Sequence, residues 1–190
     1  MADGLTFSCK CGEVQGHLSV AARKAGTRVQ CFCADCRAAE IHLTQRDPAP
    51  HPVDLFQTTP DGLHITQGAD NLRLLRLSPR GLMRWYAGCC GTPIGNTLGK
   101  PGLPFVGLNS HLFTDPATLG KVRAKAFISR PGQPPRSKGA GRMAFGIVTR
   151  MITSRLSGRW RETPFFDVES GAPVAEAEVL SKKARDALLR

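Results

Sequence analysis

The chain has 190 residues, a formal net charge of +11 and seven cysteines. That length holds one domain, or one domain with an extension, and buries a real core. The odd cysteine count argues against a full disulfide framework, and no stretch approaches the roughly 18 apolar residues that span a bilayer. Met1-Ala2-Asp3-Gly4-Leu5-Thr6 lacks the basic and apolar regions of a secretory signal. The cytoplasm is therefore the expected compartment, where clustered cysteines stay reduced and read as metal ligands or catalytic groups.

Along the chain, Val14 to Val20 alternates apolar and polar residues and predicts a half-buried strand. A second strand is predicted over Thr27 to Cys33, with Val29, Cys31 and Cys33 on one face. Shorter strands follow at Val53–Phe56, Leu63–Thr66, Leu72–Leu77 and Met83–Tyr86, punctuated by Pro60-Asp61-Gly62, Gly68-Ala69-Asp70-Asn71 and Ser78-Pro79-Arg80-Gly81. Lys121 to Arg130 alternates again. Residues 131–141, rich in Pro and Gly, read as a linker. Beyond it the period lengthens: Met143, Ile147 and Met151, and Ala144, Val148, Ile152 and Leu156, form a stripe on a helix over 142–156. A last helix is predicted from Ala175 to Leu189. Many short strands with turn signals imply a mainly β fold, and residues 142–190 read as a basic, helical C-terminal extension.

The positive charge is concentrated. Residues 121–164 hold eleven Lys or Arg against one acid, Glu162. Such a segment attracts nucleic acid or another anionic partner, or forms a solvated basic face; it carries no known recognition motif. The helix at 142–156 is expected to pack on the β core or to join two copies in a homodimer.

The cysteines fall into three groups: Cys9 and Cys11; Cys31, Cys33 and Cys36; and the adjacent Cys89 and Cys90. Residues i and i+2 of an extended chain point the same way, so Cys9 and Cys11 can share an ion, as can Cys31 and Cys33. A turn, or the first turn of a helix, brings Cys36 back to the second pair. Three thiolates on zinc leave one coordination position for water or substrate, and carry net negative charge that Arg37 or backbone N–H groups can balance. Alternatively Cys89 or a histidine such as His42 closes that position and makes the site structural. Cys9 and Cys11 need ligands from far along the chain. The spacings do not match the common iron–sulfur runs.

These residues resemble the family of glutathione-dependent formaldehyde-activating enzymes and centromere protein V. Cys9 and Cys11 match its C-x-C element, Cys31, Cys33 and Cys36 its C-x-C-x-x-C element, and Cys90-Gly91-Thr92-Pro93 the end of its hairpin motif. Gly68, Leu72-Arg73 and Arg84 extend the likeness over residues 5–130. The resemblance implies a β-tent zinc fold of short antiparallel sheets over 1–130. It implies a structural zinc held by Cys9, Cys11, Cys89 and Cys90, and a second zinc at Cys31, Cys33 and Cys36 that takes a thiol such as glutathione or its adduct. The implied reaction makes or breaks a carbon–sulfur bond, with Cys31, Cys33 and Cys36 as the catalytic set. The chain departs from the pattern at Ala87, where the family carries a cysteine, and at Phe32, where it carries a histidine. Cys89, beside Cys90, therefore joins its neighbour only through an unusual turn, and otherwise turns toward the C-x-C-x-x-C site. No Ser-His-Asp order, phosphate-binding glycine loop or carboxylate pair is present.

Overall fold

A computed structural model describes residues 4–189; Met1–Asp3, which open the first expected domain, and Arg190 lie outside the described residues. Strands β1 (Leu5–Ser8) and β2 (Gln15–Leu18) are followed by helix α1 (Val20–Ala25), strand β3 (Thr27–Cys31) and helix α2 (Ala34–Thr44). Then come β4 (Val53–Thr58), β5 (Leu63–Gln67), β6 (Leu72–Arg76), β7 (Met83–Ala87), β8 (Thr92–Thr97) and β9 (Val106–Asn109). The last third holds β10 (Val122–Arg130), β11 (Gln133–Lys138), α3 (Ala140–Leu156), β12 (Ala177–Val179) and α4 (Lys182–Ala187).

The fold is mainly β, as the short alternating segments require. Strands β1, β2 and β5 form an antiparallel three-stranded sheet. The other nine pair in the order β11-β10-β3-β4-β9-β8-β7-β6-β12. This larger sheet is mixed rather than a set of short antiparallel sheets, because β10 runs parallel to β3 and β12 parallel to β6. Between the sheets lies one apolar core of Phe7, Val14, Leu18, Phe56, Trp85, Ile94, Leu108 and Phe113, among others.

Several boundaries differ from those read in the sequence. The first alternating segment ends early, since the Ser19 hydroxyl accepts a hydrogen bond from Ala22 N at 3.2 Å and starts α1. Strand β3 stops at Cys31, and Cys33 caps α2 instead of continuing the strand. The expected linker at 131–141 is largely strand: Gln133 pairs with Arg130 and Lys138 with Lys125. Pro134 and Pro135 fit there because β11 is an edge of the sheet, where a missing N–H forfeits no ladder bond. The last predicted helix is a parallel strand, β12, followed by the short α4, which Ser181 caps by accepting from Ala184 N at 3.1 Å.

The C-terminal third is not an appendage. Phe165 is fully buried and its ring lies 5.0 Å from that of Trp85, with Phe166 beside it. Removing so large a buried ring costs about 3–5 kcal/mol. Phe165→Ala is accordingly expected to lose that much stability in urea unfolding; a loss under about 1 kcal/mol would show that the segment docks without supporting the core. Helix α3 rests on β10 through Met143, which packs against Val29, Ala124 and Ala126. Its inward face is partly polar. Arg150 donates to Ala25 O at 2.9 Å and to Thr27 Oγ1 at 3.1 Å, and Ser154 is buried. Of the apolar stripe read in the sequence, the Met143, Ile147 and Met151 row is half-buried, while Ala144, Val148, Ile152 and Leu156 are exposed, as is Phe145. Among the described residues no helix is long and apolar enough to cross a membrane.

Candidate metal centres

The turn after β1 carries Cys9 and Cys11. Cys9 N donates to Val14 O at 2.8 Å and Gly12 N to Cys9 O at 3.0 Å, with Gly12 at φ +84°. This tight loop, not an extended strand, places the two sulfurs 3.5 Å apart. The β7–β8 turn supplies the other pair. Gly91 N donates to Ala87 O at 2.8 Å, and Gly91 takes φ +70°, a conformation glycine adopts without strain. Inside that turn neighbouring side chains no longer point to opposite faces. Cys89 Sγ lies 3.3 Å from Cys11, 3.8 Å from Cys9 and 3.9 Å from Cys90. The unusual turn that the adjacent cysteines demanded is therefore present, and Ala87 is fully buried at the end of β7. Thr92 ties the two loops together: its hydroxyl accepts from Lys10 N at 3.0 Å and lies 3.0 Å from Cys90 Sγ.

The second cluster is local. Cys31 ends β3, Phe32 N donates to Ala126 O at 2.9 Å, and Cys33 begins α2 by accepting from Cys36 N on its sulfur at 3.3 Å. Cys31 and Cys33 sulfurs are 3.3 Å apart, and all three lie within 4.8 Å of one another. Cys31 and Cys36 are buried and Cys33 is half-buried. No other Cys, His, Asp or Glu joins them among the described residues. Cys89 belongs to the other cluster, and His42 points to Glu178, its Nε2 3.5 Å from the carboxylate. Arg37, the expected counter-charge, is taken by Asp47 at 2.8 and 2.5 Å. The cation beside this cluster is Arg84, which is 4% exposed and helps hold the Cys33 thiol down.

Both groups have the donor set and spacing of a metal site. Thiolates about 2.3 Å from a tetrahedral ion stand about 3.8 Å from one another, close to the separations seen here. All seven thiols are free. Without a cation, sulfurs this close share very little charge. Cys33 is lowered to about 2, first by the hydrogen bonds of Cys31 and Cys36. Cys31 is pushed up to about 11, chiefly by its bond to Cys33, and Cys36 is raised as well, by Cys31 and then Cys33. In the other cluster, Cys89 is pushed up to about 12 by desolvation and by the neighbouring thiols. A divalent cation is the natural partner of such a set, since it stabilises every thiolate at once.

Behind Cys36 lies a small cavity between α2 and the sheet, walled by Cys36, Glu40, Arg84, Asn96 and Asn109. Glu40 Oε1 accepts from Asn109 Nδ2 at 2.6 Å, and burial raises its carboxyl pKa against the pull of Asn109 and Arg84. Arg84 Nη1 donates to Asn96 Oδ1 at 3.2 Å, while its buried Nε–H has no partner. Glu40, Pro93 and Asn109 also border an open groove lined by Lys10, Arg46 and His111, so the cavity adjoins solvent. Glu40 and Asn109 carry no motif and were missed in the sequence. The available signal was spacing: Glu40 lies one helical turn after Cys36.

A family described as of unknown function (DUF6151) matches residues 1–178, a span that contains both clusters and the cavity. A solved structure of a Rhodobacter sphaeroides protein is similar over 64% of this chain and 98% of its own, at 20% sequence identity and a TM-score of 0.44. No curated protein matches the chain.

Proposed function

We propose that this chain, which belongs to the family of unknown function (DUF6151), is a zinc–thiolate protein that cleaves or forms the carbon–sulfur bond of a thiol adduct. In this reading Cys9, Cys11, Cys89 and Cys90 hold a structural zinc, and Cys31, Cys33 and Cys36 hold a second one. The observation that carries it is the three-sulfur set with no fourth protein donor among the described residues, placed beside a small cavity whose wall includes Glu40, Arg84, Asn96 and Asn109. Four protein ligands make a closed site, whereas three leave a position open. The match of these cysteines to the formaldehyde-activating pattern supports the same reading. Bound zinc would supply a Lewis acid that favours thiolate over thiol at neutral pH.

The chain's own residues provide the rest. Arg84 offsets the negative charge of the sulfurs, and the capping of α2 by Cys33 fixes the direction of the ligand set. For an adduct R–S–CH(OH)–R′, the C–S bond breaks as the C–O bond becomes a carbonyl. The hydroxyl proton ends on the departing sulfur, so the products are a thiol and an aldehyde. The reverse direction joins the same two molecules. The test is incubation of the zinc-loaded chain with an S-hydroxymethyl thiol adduct and measurement of aldehyde and free thiol. Release at least about 100-fold above the buffer rate is expected. A rate equal to buffer, with both clusters loaded, would refute the lyase reading.

A further inference from the structure

Arg84 holds a charged side chain almost wholly inside the protein, and one of its donors is left without an acceptor. Arg84 Nη1 reaches Asn96, but Nε is buried with no hydrogen-bond partner. An orphaned donor on a charged group is costly, and native proteins keep few of them without a reason. This one belongs to a residue that lines the same cavity as Cys36. Glu40 lines it too, with one carboxylate oxygen fixed by Asn109 and the other without a hydrogen bond to any described residue. Two residues that wall the cavity therefore carry an unpaired N–H donor and an unpaired carboxylate oxygen, next to a residue of the three-cysteine cluster. A carbonyl oxygen can accept from the first; a hydroxyl can accept from the first and donate to the second.

We propose that the cavity formed by Glu40, Arg84, Asn96 and Asn109 is the pocket for the substrate's oxygen atom, with Arg84 Nε–H as its donor and Glu40 as the acceptor of its hydroxyl hydrogen. The inference rests on the thiol-adduct reading of Cys31, Cys33 and Cys36, and it adds the part of the ligand that is recognised. The site selects thiol compounds bearing a carbonyl or hydroxyl close to sulfur, and it rejects plain alkyl thiols of the same size. The rejection follows from burial. An alkyl group leaves the buried guanidinium N–H without an acceptor and takes the place of a hydroxyl that could bond the Glu40 carboxylate.

The probes are 2-mercaptoethanol and ethanethiol, which bring the same sulfur but differ in one oxygen. Their dissociation constants are measured by calorimetry on the zinc-loaded full chain and on two variants. Arg84→Lys keeps the charge and removes the Nε–H. Glu40→Met keeps the length and the helix and removes the acceptor. The native chain is expected to bind 2-mercaptoethanol at least about tenfold more tightly than ethanethiol. Arg84→Lys is expected to bring the ratio close to one while both thiols still bind, and Glu40→Met to reduce it about threefold. A native ratio near one overturns the pocket but leaves the thiol site standing. A ratio unchanged in Arg84→Lys also overturns it. If Arg84→Lys does not fold, an unchanged ratio in Glu40→Met decides against it. Failure of the native chain to bind either thiol overturns both this inference and the reading beneath it.

Discussion

Cys11→Ser is expected to lower the unfolding free energy of the metal-loaded chain by more than about 3 kcal/mol, and a strong chelator is expected to do the same to the native chain. Cys11 is exposed, so the serine removes almost no packing, and a surface change of this kind normally moves stability by less than about 0.5 kcal/mol. Any large loss must therefore come from the ion. The cluster joins the β1–β2 turn to the β7–β8 turn across 78 residues of sequence, and so fastens the three-stranded sheet to the nine-stranded one. A metal bound only by the folded state contributes its binding energy to folding, on the order of 10 kcal/mol in small zinc domains. Urea unfolding with and without chelator, on the native chain and on Cys11→Ser, measures the effect. An unchanged midpoint in Cys11→Ser would mean that these four thiols are close neighbours without a structural ion.

Cys33→Ser is expected to behave in the opposite way. It should remove about one metal equivalent per chain and lower turnover of a thiol adduct by about 1,000-fold or more, yet leave stability within about 1–2 kcal/mol of native. Serine is the right replacement because Cys33 also caps α2, accepting from Cys36 N on its sulfur. A serine oxygen performs that role at least as well, so the helix start survives the loss of the ligand. The cluster spans six residues and closes no long loop, and its frame is set by the pairing of β3 with β4 and β10. Elemental analysis and product release on the same sample check the claim. Turnover retained after the metal is lost would separate the chemistry from the three cysteines. Unfolding of the variant would show that this ion, too, is structural.

The cysteine groups were legible because ligand spacing is a local property. Cys31, Cys33 and Cys36 meet over six residues, and the sequence needed only a strand end followed by a turn to bring them together. What joined Cys9 and Cys11 to Cys89 and Cys90 was a contact between distant turns, and no local pattern encodes it. The resemblance to a known motif supplied that pairing, while the side-by-side cysteines argued for an unusual backbone, which Gly91 at φ +70° makes possible. The basic strand β10 was read as strand, but its partner β11 was not, because two prolines resemble a linker until their place at a sheet edge is known. The C-terminal third was harder still. Phe165 and Phe166 belong to the main core, but two aromatic residues between polar stretches show no period from which burial could be inferred. Helix α3 has a periodic stripe of which only the Met143, Ile147 and Met151 row is half-buried, so the pattern identified the helix but drew its inner face too wide. Glu40 and Asn109 meet across 69 residues, a polar contact that hydrophobic patterning does not report.

The two sulfur groups also differ in when they come into being. A nascent chain leaves the ribosome from its beginning, and all three sulfurs of the trio at residues 31–36 are present once that short stretch has emerged, although strand β10, which frames it, comes only at Val122–Arg130. The quartet must wait until residue 90 is made, with its first pair reduced and unsupported through the synthesis of the smaller sheet and four of the nine strands of the larger one. Under the proposed zinc reading, cellular metal supply would act on this polypeptide at two separate moments. On that reading a shortage late in translation would release chains whose trio is loaded but whose halves have never been fastened, a population that a thiol-binding assay would count as sound and a protease would not.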